Sequence, residues 1–293
     1  VNNSLLVQNI PYTIAEFFSL IRCCFKKSGM EILRDPCSFL CRVTGLSAHQ
    51  VIVYPDTILE NRQRFFLAEA IIRSLKHESI HRILGWRDFY NVRLTLSSDT
   101  FEPRPETELV VDSVLSFFRS HSKKNNVIHI LDLGTGTGAI CLALLKECPL
   151  FKGVGVDVSR KSLEVAEKNA VMNGVSERFC TLQSNWFSSV EGLFDVIVSN
   201  PPYIDSAVVD CLDIEVREFD PRISLDGGKD GLSHYRTIAE GISRHLSKGG
   251  FCSVEIGYDQ KIDVIQIFKS HSLYLVNAFK DYGGNDRVLL FNR

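Results

Sequence analysis

Two short stretches carry residue types that can do chemistry. Asn200-Pro201-Pro202-Tyr203 sets an amide, two rigid imino acids and an aromatic ring in succession. Consecutive prolines end a strand and stiffen the backbone, so the Pro201 carbonyl, which no ladder partner easily claims, is left to accept a hydrogen bond. The Asn200 side-chain oxygen is a second acceptor, and the Tyr203 ring offers a face to a planar group. Two acceptors trained on one NH2 group hold both N–H bonds and aim the nitrogen's face at an electrophile. Amide and aromatic amine nitrogens are poor nucleophiles, so such a transfer depends on positioning, which is worth on the order of 7–11 kcal/mol in well-oriented intramolecular reactions. The bland alternative is a turn, for which Asn and Pro are common residues.

The second stretch is Asp132-Leu133-Gly134-Thr135-Gly136-Thr137-Gly138, an apolar run that breaks into glycines and continues as the helical Ala139 to Leu145. Glycines let the backbone approach a ligand closely, and free N–H groups at a helix start favour an anionic group. Gly138 is followed by Ala139 and Ile140, not Lys-Ser/Thr, so a nucleoside triphosphate loop is excluded. The spacing is G-x-G-x-G, where a dinucleotide loop has G-x-G-x-x-G. Asp157, nineteen residues after Gly138, ends the next strand, where a carboxylate accepts from both hydroxyls of a ribose. An adenosine ligand fits. On the loop and Asp157 alone, S-adenosylmethionine, a nicotinamide or flavin cofactor and a structural turn all remain open. Asn200 to Tyr203, at the carboxyl end of a later strand, selects methyl transfer to a planar nitrogen.

These stretches need elements to position them. Residues 13–85 have apolar residues at helical spacing, as in Ile14-Phe17-Phe18-Ile21 and Phe65-Phe66-Ala68-Ile71-Ile72-Leu75, which predicts a small all-α domain over 1–85. Thr44-Gly45-Leu46-Ser47 reads as a helix end followed by a new N-cap, and Phe17, Phe18 and Phe25 as core. Val92, Leu94 and Leu96 alternate with polar residues, so 86–105 reads as a hairpin linker stiffened by Pro103 and Pro105. From 106 to 293, strands are expected at Val127–Leu133, Gly153–Val156, Phe179–Gln183, Asp195–Ser199, Gly250–Ile256, Tyr274–Ala278 and Arg287–Phe291, with helical patterns between most of them. That alternation predicts a mostly parallel, doubly wound sheet. The last two strands are too close for a helical crossover and should pair antiparallel.

Composition bounds the rest. With 293 residues and 45% apolar content the chain has room for about two domains with a real core, and disorder and collagen are excluded. A net charge of −2 gives no sign of bulk nucleic-acid binding. No apolar run approaches the roughly 18 residues of a membrane span, and no leader is read at the start. Nine cysteines without a CxxC pair are expected to be buried thiols in a reducing, cytoplasmic setting.

Taken together, Asp132 to Ile140 and Ser199-Asn200-Pro201-Pro202-Tyr203-Ile204-Asp205 resemble the class I S-adenosylmethionine methyltransferases, and within them the release-factor glutamine N5-methyltransferases of the PrmC/HemK type. Residues Phe101 to Leu109, Phe219-Asp220-Pro221-Arg222, Leu225 to Leu232, Glu255 to Gln260 and Lys280 to Arg287 extend the resemblance, and Ile83 to Phe89 carries it to the end of the helical domain. The resemblance implies a Rossmann-like α/β domain. It implies methylation of the glutamine amide in the Gly-Gly-Gln loop of class-one peptide release factors, by a cytoplasmic monomer. Carried over residue by residue, Gly134, Thr135, Gly136, Thr137 and Gly138 would hold the methionine part, Asp157 the ribose and Trp186 the adenine region. Asn200, Pro201, Pro202 and Tyr203 would hold the glutamine amide. Arg104 and Glu106, fixed by flanking prolines, are candidates for contacts to the incoming loop. The family commonly has Asp where this chain has Asn185, which implies somewhat weaker cofactor binding.

Other functions share parts of these motifs. A ribosomal-protein glutamine methyltransferase would share the Asn-Pro-Pro-Tyr chemistry, as would a DNA adenine or RNA guanine amino-methyltransferase, though no basic target-recognition domain is present. A non-catalytic binding module would be expected to carry a damaged Asn-Pro-Pro-Tyr. His77-Glu78-Ser79-Ile80-His81 matches the zinc-protease pattern, with both histidines on one helix face. The helix should end near Gly85 and no third ligand follows on a downstream helix, so no metal is expected. His234 and Tyr235 read as helix-surface groups, and no general base is demanded because the nitrogen becomes acidic once methylated.

Overall fold

The computed structural model describes residues 10–30, 35–121 and 126–293. The chain divides into two compact units, 1–84 and 85–293.

The first unit is helical among its described residues: α1 (Ile14–Lys27), α2 (Pro36–Thr44), α3 (Ala48–Val53), α4 (Asn61–Ser74) and α5 (Ile80–Leu84). Thr13 caps α1 reciprocally with Glu16, whose carboxylate accepts from the Thr13 N–H at 3.1 Å. Gly45, at φ 77°, ends α2, and Ser47 starts α3 in a second capping box with Gln50. The apolar face of α1 buries Ile14, Phe17, Ile21, Cys24 and Phe25, and the Phe25 ring meets Phe39 edge-on with centroids 5.4 Å apart. Phe18 packs at the margin of that core. The His-Glu-x-x-His stretch does not lie on one helix. His77 sits in a turn at φ 68°, Glu78 is tied to Arg73 at 2.6 Å, and His81, in α5, faces the Arg42 guanidinium at 3.1 Å. A left-handed residue breaks the helical register, so the two imidazoles are not stacked one turn apart.

The second unit opens with a hairpin, β1 (Trp86–Phe89) and β2 (Val92–Thr95). It is built into the unit: the Arg93 and Thr95 N–H groups donate to Asn173 and Asn169 at the end of α8 (Arg160–Met172). After α6 (Glu108–His121) come β3 (Ile128–Leu133), α7 (Ala139–Glu147), β4 (Phe151–Asp157), α8, β5 (Phe179–Gln183) and β6 (Phe194–Ser199). The short α9 (Ser206–Val209) and α10 (Ile214–Arg217) precede α11 (Ser233–His245), β7 (Leu246–Glu255), α12 (Lys261–Ser270), β8 (Tyr274–Lys280) and β9 (Asp286–Asn292). The seven strands order as β5-β4-β3-β6-β7-β9-β8, parallel except for β9, which pairs antiparallel with both neighbours. One face is covered by α6, α7 and α8 over Ile130, Phe151 and Val196. The other is covered by α11 and α12 over Leu131, Ile197 and Val254.

Most strands run one to three residues beyond the sequence reading. The largest difference is β7, which begins at Leu246. Leu246 pairs with Phe194 and the register then shifts, with Gly249 at φ 81°, so a pair of glycines that reads as a strand start is an irregularity inside one. Three of the nine cysteines, Cys23, Cys180 and Cys211, are exposed, contrary to the expectation of buried thiols, and all nine are free. No helix among the described residues is long and apolar enough to cross a membrane.

Candidate active site

Strand order decides where chemistry can sit. The sheet runs outward in one direction from β3 to β4 and β5, and in the other from β3 to β6 and β7, so the crevice between β3 and β6 is a topological switch point. Leu133 and Ser199 are register partners at the ends of these two strands. The chain therefore leaves both strands side by side, as Gly134 on one and Asn200 on the other. A cavity of about 620 Å³ opens there, lined by Gly134 to Thr137, Asp157, Trp186, Asn200 to Ile204 and Arg104.

On the β3 side, the Gly134 and Thr135 N–H groups both donate to the Val156 carbonyl at 2.8 Å, and Gly136 N–H donates to Asp157 Oδ2 at 3.0 Å. Gly134 and Gly136 have φ of 71° and 55°, a region costly for residues with a Cβ. Asp157 also takes the Ser159 N–H at 2.8 Å, so backbone donors engage both carboxylate oxygens without filling their lone-pair capacity. Burial pushes the Asp157 pKa up, and the Ser159, Gly136 and Val158 N–H groups oppose the rise. Trp186 holds a left-handed backbone at φ 52°, an outlier for a bulky residue. Its ring crosses the mouth of the loop, 3.8 Å from where a Cβ on Gly134 would stand, and tilts against His234 with centroids 5.1 Å apart. A half-buried carboxylate with spare acceptor capacity, a loop whose glycines leave room for close approach and an aromatic wall fit an adenosyl group with a charged amino-acid tail.

On the β6 side, the Asn200 Nδ2 donates to Thr107 Oγ1 at 3.1 Å, which fixes the amide and leaves Oδ1 for another donor. Pro201 is buried and Pro202 and Tyr203 are half-buried. The Tyr203 carbonyl accepts from Gln260 Nε2 at 2.9 Å, and its hydroxyl points to Glu255 Oε1 at 3.4 Å. Burial raises the Tyr203 pKa, with the Glu255 charge adding to the shift. Ile204 is clamped by the Leu225 carbonyl at 3.0 Å and by the Gly227 N–H at 2.7 Å. Gly231, at φ 69°, passes so close that a Cβ would lie 2.5 Å from the Tyr203 oxygen.

Arg104 lines the cavity and its guanidinium binds Asp220 Oδ2 at 2.7 Å, while Asp220 Oδ1 takes the Glu102 N–H at 3.1 Å. Its ion-pair partner is thus this buried Asp220 and not Glu106. Glu106 lies close enough to Tyr203 and Glu255 to raise both their pKa values. Asn185 lies on the cavity wall next to Trp186.

Residues 108–214 match the methyltransferase small domain family. A release factor glutamine methyltransferase from Agrobacterium fabrum is 50% identical over 251 residues, 86% of this chain and 87% of that protein. The chain belongs to the release factor glutamine methyltransferases. A second relative of that name, from Caulobacter vibrioides, is 39% identical over 84% of each chain. Among solved structures, the hMettl16 catalytic domain in complex with an RNA hairpin aligns over 81% of this chain and 84% of its own with a TM-score of 0.55; at 11% identity this shows the shared S-adenosylmethionine-dependent methyltransferase fold alone.

Within this family frame, the two sequence motifs meet in one cavity as their strand positions required. Sequence reasoning gave no role to Thr107, Asp220, Glu255 or Gln260, although each lay in a quoted stretch, because their partners are 52 to 118 residues away in the chain. It also placed His234 and Tyr235 on a helix surface. His234 instead lines the cavity with Nε2 3.1 Å from the Asp226 carbonyl, and Tyr235 is fully buried, its hydroxyl donating to the Glu255 carbonyl at 2.9 Å. The apolar spacing of α11 puts residues 235, 238, 239 and 242 on the sheet, which a closer helical count would have shown.

Proposed function

We propose that this protein transfers a methyl group from S-adenosylmethionine to the side-chain amide nitrogen of the glutamine in the Gly-Gly-Gln loop of class-one peptide release factors. The observation that carries the proposal is the Asn200 amide, anchored through its nitrogen to Thr107 and left with its oxygen to accept, on the wall of the cavity that also holds the glycine loop and Asp157. The names and identities of the relatives support the substrate.

Gly134 to Thr137 border the methionine part, while Gly138, off the cavity wall with its N–H on the Thr135 carbonyl, turns the chain into α7; Asp157 accepts from the ribose hydroxyls, and Trp186 with Asn185 borders the adenine. S-adenosylmethionine, when bound, supplies an electrophilic methyl carbon on a sulfonium. Asn200 Oδ1 and the Pro201 carbonyl take the two N–H bonds of the acceptor amide, and the Tyr203 ring packs on its plane. Holding both N–H bonds turns the nitrogen's face toward the methyl donor, so the rate derives from orientation. The proton is lost to water as the nitrogen gains its methyl. The near-neutral charge supports a protein acceptor over a nucleic acid, and nine free thiols suit a reducing cytoplasm.

The test is radiolabelled methyl transfer from S-adenosylmethionine to an unmodified class-one release factor, alongside the same factor with its Gly-Gly-Gln glutamine replaced by alanine. Label in the first and none in the second is expected. Equal label in both, or label only in a ribosomal protein or nucleic acid offered in parallel, would refute the substrate.

A further inference from the structure

Beneath Asn200 and Tyr203 lies a carboxylate to which the transfer reaction gives no task. Glu255, the last residue of β7, is 2% exposed, and its Oε2 has no hydrogen-bond partner among the described residues. The carboxylate is faced by the Tyr203 hydroxyl from the loop after β6, by the Thr107 hydroxyl and Glu106 from the turn before α6, and by Arg287 from β9. Tyr235 of α11 binds its backbone carbonyl. Burial lifts the Glu255 pKa to about 7, with Thr107, Arg287 and Tyr203 pulling it down and Glu106 adding to the rise.

Thr107 connects this carboxylate to the acceptor site. Its hydroxyl accepts from Asn200 Nδ2, which leaves its single hydrogen to be donated, and Glu255 is the acceptor it faces. The donor order Asn200 to Thr107 to Glu255 keeps Asn200 Oδ1 turned toward the cavity. A protonated Glu255 can donate to Thr107 instead, Thr107 then donates onward, and Asn200 must turn its oxygen inward and present its NH2 to an incoming NH2. Two donors then oppose each other.

We propose that Glu255, as a carboxylate, is a positioning residue that sets the direction of the hydrogen-bond chain through Thr107 and so fixes which end of the Asn200 amide meets the methyl acceptor. This rests on the reading that the acceptor amide donates to Asn200 Oδ1. The nitrogen of the substrate does not titrate near neutrality, and Asp132, whose pKa burial also lifts to about 7, sits under the glycine loop, so at saturating S-adenosylmethionine it is the acid-side fall that Glu255→Gln abolishes that reports Glu255.

The experiment follows kcat between pH 6 and 9 for the full chain, with saturating S-adenosylmethionine and an unmodified release factor, together with the Kd for S-adenosylhomocysteine. Wild-type kcat is expected to fall as pH drops through about 7. Glu255→Gln should lower kcat by roughly tenfold to a hundredfold at pH 8 and lose that acid limb, with the Kd within about twofold of wild type. Thr107→Val, which cuts the chain and leaves Glu255 in place, should do the same, and Thr107→Ser should restore both rate and limb. Wild-type kcat in Glu255→Gln, an acid limb that survives in it, or a parallel loss of S-adenosylhomocysteine binding would each overturn the inference while the acceptor reading stands. A wild-type protein that transfers no methyl to the release factor would remove the acceptor reading and this inference with it.

Discussion

The loop after β3 is held by its near neighbours in sequence, and the loop after β6 is held from far along the chain. Thr135 Oγ1 binds Asp132 three residues away, and Gly136 binds Asp157 twenty-one residues away. Asn200 instead depends on Thr107, 93 residues earlier, and the Tyr203 carbonyl on Gln260, 57 residues later. A cofactor recurs unchanged in every turnover, and a single βαβ unit suffices to cradle it. In the proposed transfer an acceptor amide has to be held in one orientation against a fixed methyl, and a stiff loop braced from distant segments would provide that constraint.

If the two halves are separable, substitutions should split cleanly between turnover and cofactor affinity. The largest effect is expected at Asn200→Ala, which removes the oriented acceptor: kcat should fall by on the order of a hundredfold or more, with S-adenosylhomocysteine affinity unchanged by calorimetry. Asp157→Ala should weaken S-adenosylhomocysteine binding by roughly tenfold to a hundredfold, since hydrogen bonds to a charged group contribute about 1.5–3 kcal/mol, and should spare the rate at saturating cofactor. Equal damage to rate and affinity in either variant would break the division.

The bracing can be sharpened with two glycines. Gly231→Ala sets a Cβ against the Tyr203 carbonyl and Gln260 as well as imposing a left-handed backbone, whereas Gly136 has nothing within 4 Å of its missing Cβ. Chemical denaturation should show a loss of about 3 kcal/mol in the first and about 1 kcal/mol in the second, and only the first should lower kcat through the acceptor half. The smallest effect is expected from Asn185→Asp, which returns a carboxylate to the adenine side and should tighten S-adenosylhomocysteine by about threefold at pH 8.

The difference between the halves also accounts for what could be read in the chain. Gly134 to Gly138, Asp157 and the existence of the seven strands are local patterns of glycine, carboxylate and apolar alternation, and they lie close to where the periodicity puts them, β7 apart. Asn200 to Tyr203 was legible as a motif because two prolines at a strand end have few other uses. Its support was not, because Thr107, Glu255 and Gln260 are ordinary polar residues until the sheet brings β6, β7 and the turn before α6 together. Arg104 shows the same limit: its partner Asp220 stands 116 residues away. In the His-Glu-x-x-His stretch, from which no metal is expected, only the shared helix face is misplaced, since it assumes a continuous helix where His77 is in a turn.

The most direct test of the site is a crystal structure with S-adenosylhomocysteine and a Gly-Gly-Gln peptide bound. The account expects the glutamine NH2 within about 2.7–3.2 Å of Asn200 Oδ1, with Asn200 Nδ2 still donating to Thr107 and the Asp157 carboxylate on the ribose. A peptide amide bound away from Asn200, or an Asn200 that turns its nitrogen to the glutamine, would contradict it.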